Sequence, residues 1–118
     1  MKTKVLDRLP PMPDPRLDVA VHIALSTALR RSEILRLRVE ELLAEDGQIL
    51  KTVKVRRKGG KTQSIYLPDK LREKIAGFIG DRKTGWLLES TLRPGQQLSP
   101  TTLWLMWHQA QSKAGIPD

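Results

Sequence analysis

Apolar residues recur at helical spacing from Leu17 onward, and the period changes twice further along the chain. Leu17, Val21, Ala24, Leu25 and Ala28 fall on one face, which predicts a helix over 16–28. Asp14 stands where an N-cap would, with Pro15 in the first turn. Ile34, Leu35, Leu37, Val39, Leu42 and Leu43 give a broad apolar side to a second helix over 30–43, closed by Glu45-Asp46-Gly47. Over 48–67 the period shortens. Ile49, Thr52, Val53 and Val55, then Ile65 and Leu67, predict two short strands joined by a tight turn at Gly59-Gly60.

Helical spacing then returns. Pro68-Asp69 opens a third helix, striped by Leu71, Ile75, Phe78 and Ile79 and stopped at Gly80. Trp86-Leu87-Leu88 is a short apolar run, either a small strand or a plug for the core. Residues 91–98 form a polar loop around Pro94-Gly95. Ser99 and Pro100 are cap and first residue of a last helix, lined by Leu103, Met106, Trp107, Ala110 and Ala114 and ended by Gly115. Trp104 falls off that stripe, and His108 takes an exposed position. His22 reads as a packed or solvated helix residue without a metal partner.

The order predicts an α+β fold, mainly α: helices packed with a small antiparallel β-hairpin. Pro10, Pro11, Pro13 and Pro15 disfavour regular structure at the start. Residues 1–15 therefore read as a Pro-rich linker or lead-in, and 16–118 as one domain. The 118 residues leave no room for two ordinary domains. The absence of cysteine excludes disulfides and thiolate metal sites, and fits a reducing compartment. No apolar run approaches the roughly 20 residues of a membrane span, and MKTKVLDRLPP lacks a signal-peptide core. The expectation is a cytoplasmic protein with no membrane contact.

Charge changes the picture more. Lys and Arg number 21 against 13 Asp and Glu, a net +8. Such an excess points to a polyanion, most often nucleic acid. It is concentrated: Lys51, Lys54, Arg56, Arg57, Lys58 and Lys61 surround the predicted Gly-Gly tip with no acidic residue among them. A basic, glycine-tipped hairpin can lie against a phosphate backbone. The competing use is a solvated turn whose lysines protect a sheet edge. A second charged feature lies in Thr27–Leu37, TALRRSEILRL, where Arg30 stands at the joint of two apolar helices and Glu33 follows one turn later.

These residues resemble the tyrosine recombinases of the phage-integrase family. TALRRSEILRL is similar to their first active-site box, Thr-Gly-Leu-Arg-x-Ser-Glu followed by apolar positions. RRKGGKTQSIYLP resembles the Lys-Gly-x-Lys hairpin and the strand after it. LSPTTLWLMWHQAQSKAGIPD resembles the helix before the second box. The resemblance covers residues 16–118 and implies a partial recombinase catalytic domain lacking its C-terminal part. It implies double-stranded DNA as partner, phosphodiester breakage and rejoining in DNA integration or recombination on a mobile element, and no cofactor. By position, Arg30 matches the arginine that clamps the scissile phosphate. Glu33 matches its acidic support, and Lys58 matches the lysine that protonates the leaving 5′-hydroxyl, with Lys61 as competitor. Lys54, Arg56, Arg57, Lys58 and Lys61 are the expected DNA contacts.

Three departures bear on function. The family's glycine before Leu-Arg is Ala28, which tolerates positive φ poorly, so the joint is expected to be shaped differently. Gln63 stands where the family often has a basic residue. The His-x-x-Arg box and the nucleophilic tyrosine have no counterpart; Tyr66 is the one tyrosine and reads as a strand-face packing residue. The chain alone is therefore expected to be inactive. Alternatives are a non-catalytic DNA-binding or regulatory module derived from an integrase, partnered with itself or with a full-length recombinase, and a piece without a role of its own. A helix-turn-helix regulator fits less well, because the joint has no turn glycine. Trp104 and Trp107 are the expected apolar surface for self-association.

Overall fold

The computed structural model describes residues 14–114. Among these run α1 (Pro15–Thr27), α2 (Arg31–Leu35), α3 (Val39–Leu42), β1 (Thr52–Arg56), β2 (Thr62–Tyr66), α4 (Asp69–Ile79) and α5 (Pro100–Ala114). This is the mainly helical α+β architecture expected, with one two-stranded sheet. Most of the proline-rich lead-in, and Gly115, lie outside the described residues.

The start of α1 follows its cap chemistry. Asp14 accepts the Arg16 amide at 2.9 Å and the Arg16 guanidinium at 3.0 and 2.7 Å. The side-chain bond from Arg16 holds the Asp14 carboxyl below its ordinary range. Arg16 also reaches the Glu89 carbonyl at 2.9 Å, stapling the helix start to a distant loop. The buried face of α1 differs from the expected one. Leu17, Val19, Ala20 and Ile23 are buried, whereas Val21, Ala24 and Leu25 are half-buried and Ala28 is exposed. The segment Val19–Leu25 is apolar except for His22, so spacing alone does not single out a face.

Ala28 ends α1 at φ 61° and ψ 19°, donating its amide to the Ala24 carbonyl at 3.0 Å. The joint thus takes the left-handed turn despite its Cβ, contrary to the altered shape expected from an alanine. Relieving the Cβ should return about 1–2 kcal/mol, while the freer unfolded glycine removes about 0.4–1 kcal/mol. Ala28→Gly is therefore expected to stabilise the fold by about 0.8 kcal/mol. A denaturant midpoint that fails to rise would show that the joint carries no strain.

The second expected helix, 30–43, is broken. α2 stops at Leu35, and α3 begins at Val39. Between them Leu37 accepts the Leu87 amide at 2.9 Å, and Arg38 forms an antiparallel bridge with Trp86. The Val39 amide donates to Gly85 at 2.7 Å, and the Arg38 guanidinium lies 4.5 Å from the Trp86 ring centre. Backbone groups that would close a continuous helix are instead used to seat the Trp86-Leu87-Leu88 run. Leu87 and Leu88 are fully enclosed, so this run is a core plug, joined to the α2–α3 break by one isolated bridge rather than a strand. Arg82 steadies it by donating to the Trp86 and Leu87 carbonyls at 3.0 and 3.2 Å.

The hairpin follows its pattern. β1 alternates, sending Val53 and Val55 inward and Thr52, Lys54 and Arg56 outward. Antiparallel register places Arg56 against Thr62, Lys54 against Ser64 and Thr52 against Tyr66. Tyr66 is 58% exposed, so it stands on the solvent face rather than packing. Gly59 and Gly60 adopt φ of 84° and 79°, values that favour glycine and let the tip close. Ile49 pairs with Leu43 outside the strand.

Of its expected stripe, α4 buries Leu71, Ile75 and Ile79, while Phe78 is half-buried. It lies along α1, where Lys74 meets Asp18 at 2.6 Å. Ser99 caps α5 by accepting the Thr102 amide at 3.1 Å. Leu103 and Ala110 are buried on α5, Trp104 and Leu105 are about half exposed, and Leu98 before it is enclosed. His108 is half-buried rather than exposed, its ring centre 4.0 Å from that of Trp104.

Candidate functional site

Glu33 is the node of the site. It lies one turn into α2 among buried Ile34 and Leu35, and is itself only 5% exposed. A carboxylate so enclosed needs bonded partners to offset lost hydration. It has two. Oε1 accepts the Arg30 backbone amide at 2.7 Å, satisfying a donor at the helix start. Oε2 accepts Nε of Arg57 at 2.7 Å. The Arg57 guanidinium is further held by Nη1 donating to Oε1 of Gln63 at 3.1 Å.

The expected pairing is therefore altered in one respect. Glu33 braces the main chain of Arg30, while the guanidinium it binds belongs to Arg57 at the foot of the hairpin tip. Arg57 also closes that tip through its backbone. Its amide donates to Lys61 at 2.7 Å, and its carbonyl accepts the Gly60 amide at 3.1 Å. The structure thus brings the Arg30 joint and the basic hairpin together through one carboxylate.

Arg30, Lys54, Arg56, Lys58 and Lys61 are exposed, and none makes a side-chain hydrogen bond or ion pair among the described residues. Elsewhere Arg16 pairs with Asp14, Arg38 with Glu40 and Lys74 with Asp18, whereas Arg31, Lys70, Lys83 and Arg93 make no side-chain bond among the described residues and are scattered along the chain. Lys54 and Arg56 share a cleft of about 240 Å³ with Glu33, Arg36, Leu37 and Glu41. Arg36, which sequence reasoning passed over, is exposed at the rim and donates to the Ser32 carbonyl at 3.2 Å. Its signal was present: it follows Glu33 by three residues and so falls on the same helix side. Unpaired guanidinium and ammonium groups around one hairpin can hold a chain of phosphates.

Tyr66, on the outward face of β2, has no hydrogen-bonded base or cation among the described residues. Nor does any group of three or more His, Cys, Asp or Glu gather there as a metal site would require. No described helix is long and apolar enough to cross a membrane. On another side of α2, Leu17, Ala20, Val21, Ala24, Ile34, Leu103, Trp104 and Trp107, with Arg31, line an open groove of about 200 Å³. This is the apolar surface expected around the tryptophans.

Residues 3–118 match the phage integrase family. The tyrosine recombinase XerA of Pyrococcus furiosus is 31% identical over 118 residues, taking in 98% of this chain and 37% of that protein. A crystal structure of XerA recombinase is similar with a TM-score of 0.70 at 16% identity, over 99% of this chain and 42% of the other. The chain thus spans about two fifths of the length of these relatives.

Proposed function

Because the chain belongs to the phage integrase family, we propose that it is the DNA-binding first part of a site-specific tyrosine recombinase catalytic domain. The observation that carries this reading is the set of unpaired cations Arg30, Lys54, Arg56, Lys58 and Lys61, gathered around one carboxylate-braced joint. They are the phosphate contacts. Arg30 clamps the scissile phosphate: its fork can hold two non-bridging oxygens, and it stabilises them most as charge grows during attack on phosphorus. Lys58, exposed at the tip, gives a proton to the 5′-oxygen as its bond to phosphorus breaks. Glu33 sets the position of Arg30 by holding its amide. Self-association, or pairing with a full-length recombinase, uses the apolar groove beside Trp104.

The attacking group is not supplied by these residues. A tyrosine nucleophile needs a neighbouring base or charge cluster, and Tyr66 stands apart from both. The chain is accordingly expected to shift duplex DNA while leaving no covalent complex on a nicked suicide substrate, which traps a phosphotyrosine bond. An adduct that survives denaturing electrophoresis would overturn this. A non-catalytic regulatory module derived from an integrase shares the contact set, and the isolation of Tyr66 favours it equally. The two part company when a full-length recombinase is added: a regulatory module lowers its turnover at shared sites, whereas a catalytic part does not.

A further inference from the structure

We propose that Arg57 is a positioning residue, which registers the hairpin tip against the Arg30 joint, rather than a contact to the phosphate backbone. Three observations point this way. Its guanidinium is committed at two nitrogens, Nε to Glu33 at 2.7 Å and Nη1 to Gln63 at 3.1 Å. Its side chain is 26% exposed, whereas Arg56 and Lys58 on either side are exposed to solvent. Its own amide and carbonyl close the turn that carries Lys58.

The geometry makes a short rigid linkage. Glu33 holds the Arg30 amide with one oxygen and Arg57 with the other. Arg57 in turn holds β2 through Gln63 and the tip through its backbone. Arg30 and Lys58 lie on separate segments, Arg30 before α2 and Lys58 in the β1–β2 turn that Gly59 and Gly60 close at positive φ. A planar guanidinium bonded through two nitrogens to two partners fixes distance and direction together, which a lysine in its place would not. Gln63 suits the role because its carbonyl accepts from the fork, where a cation at that position would repel it.

The assignment rests on the DNA-binding reading for its consequence but not for its test. DNA affinity is measured for Glu33→Gln, Arg57→Gln, the double variant and Arg57→Lys across a salt series. If Arg57 touches phosphate, Arg57→Gln weakens binding and lowers the salt slope by about 0.9. Glu33→Gln, which removes a negative charge, then tightens binding. If Arg57 positions the tip, both single variants weaken binding roughly fivefold with the slope unchanged. The double variant then loses no more than either, and Arg57→Lys does not rescue.

A second readout needs no DNA. Exchange of the Arg57 and Gly60 amides should quicken roughly fivefold in Glu33→Gln, while the Gly80 amide at the end of α4 keeps its rate. Absence of DNA binding by the unaltered chain would refute the functional reading and leave the exchange test decisive. Unchanged exchange at the tip, or opposite signs for the two single variants, would overturn the assignment.

Discussion

Raising salt from about 50 to 200 mM is expected to weaken duplex DNA binding by this chain about 500-fold. The figure follows from the contact set. Arg30, Lys54, Arg56, Lys58 and Lys61 carry unpaired charge, while Arg57 is spent on Glu33. Each neutralised phosphate releases roughly 0.9 of a condensed counterion, so these contacts give a slope of log affinity on log salt near −4.5. A fourfold rise in salt then removes about 2.7 log units.

The alternative for the same lysines is edge protection of a two-stranded sheet. In that role they face water, and any DNA affinity would be slight and nearly flat in salt. Fluorescence anisotropy with a short labelled duplex separates the two. A slope shallower than about −2 would remove the hairpin from the interface. Lys58→Gln and Lys61→Gln should each lower the slope by about 0.9 without altering the fold, because both side chains are exposed and unbonded. The net charge of +8 alone does not predict such a value; what matters is how many cations lie free on one surface.

Short-range signals in the sequence were faithful. Asp14-Pro15 and Ser99-Pro100 start helices as cap chemistry dictates, and Gly59-Gly60 closes a hairpin. Each depends on neighbours within a few residues. The misreadings depend on residues far along the chain. Nothing near Arg36 breaks a helix; the break exists because Trp86 and Leu87 arrive to bond Arg38 and Leu37. On α1 the apolar residues surround His22, so the choice of buried face was made by α4 and the hydrophobic core. The site shows the same division. Arg30, Glu33 and Arg57 were all legible as chemistry-bearing residues, but that Glu33 would take Arg57 in its second oxygen is a tertiary fact. Its mate could have been any cation of the hairpin: Lys54 and Arg56 line the same cleft as Glu33, and only the folded tip gives the place to Arg57.

Leu87→Ala is expected to destabilise the domain by about 3 kcal/mol and lower its Tm by roughly 10 °C or more. Leu87 is completely enclosed, and its amide donates to Leu37 at the α2–α3 break. Truncation removes the transfer energy of the lost carbons and leaves a void that this site cannot easily close. Collapse is resisted because the plug backbone is pinned on both sides: by Arg38 and Leu37 on one, and by Arg82 and the Leu98 amide, 2.8 Å from the Leu88 carbonyl, on the other. Against a total stability of about 5–15 kcal/mol for a domain, the loss is large. The backbone bonds survive the substitution, so the break should persist and α2 should still present Glu33 to Arg57. DNA binding well below the lowered Tm should therefore keep its salt slope, with the deficit confined to thermal and denaturant midpoints. A fall below about 1 kcal/mol would mean that the plug is not seated against the core. A changed salt slope at full folding would instead tie Leu87 to the placement of the basic hairpin.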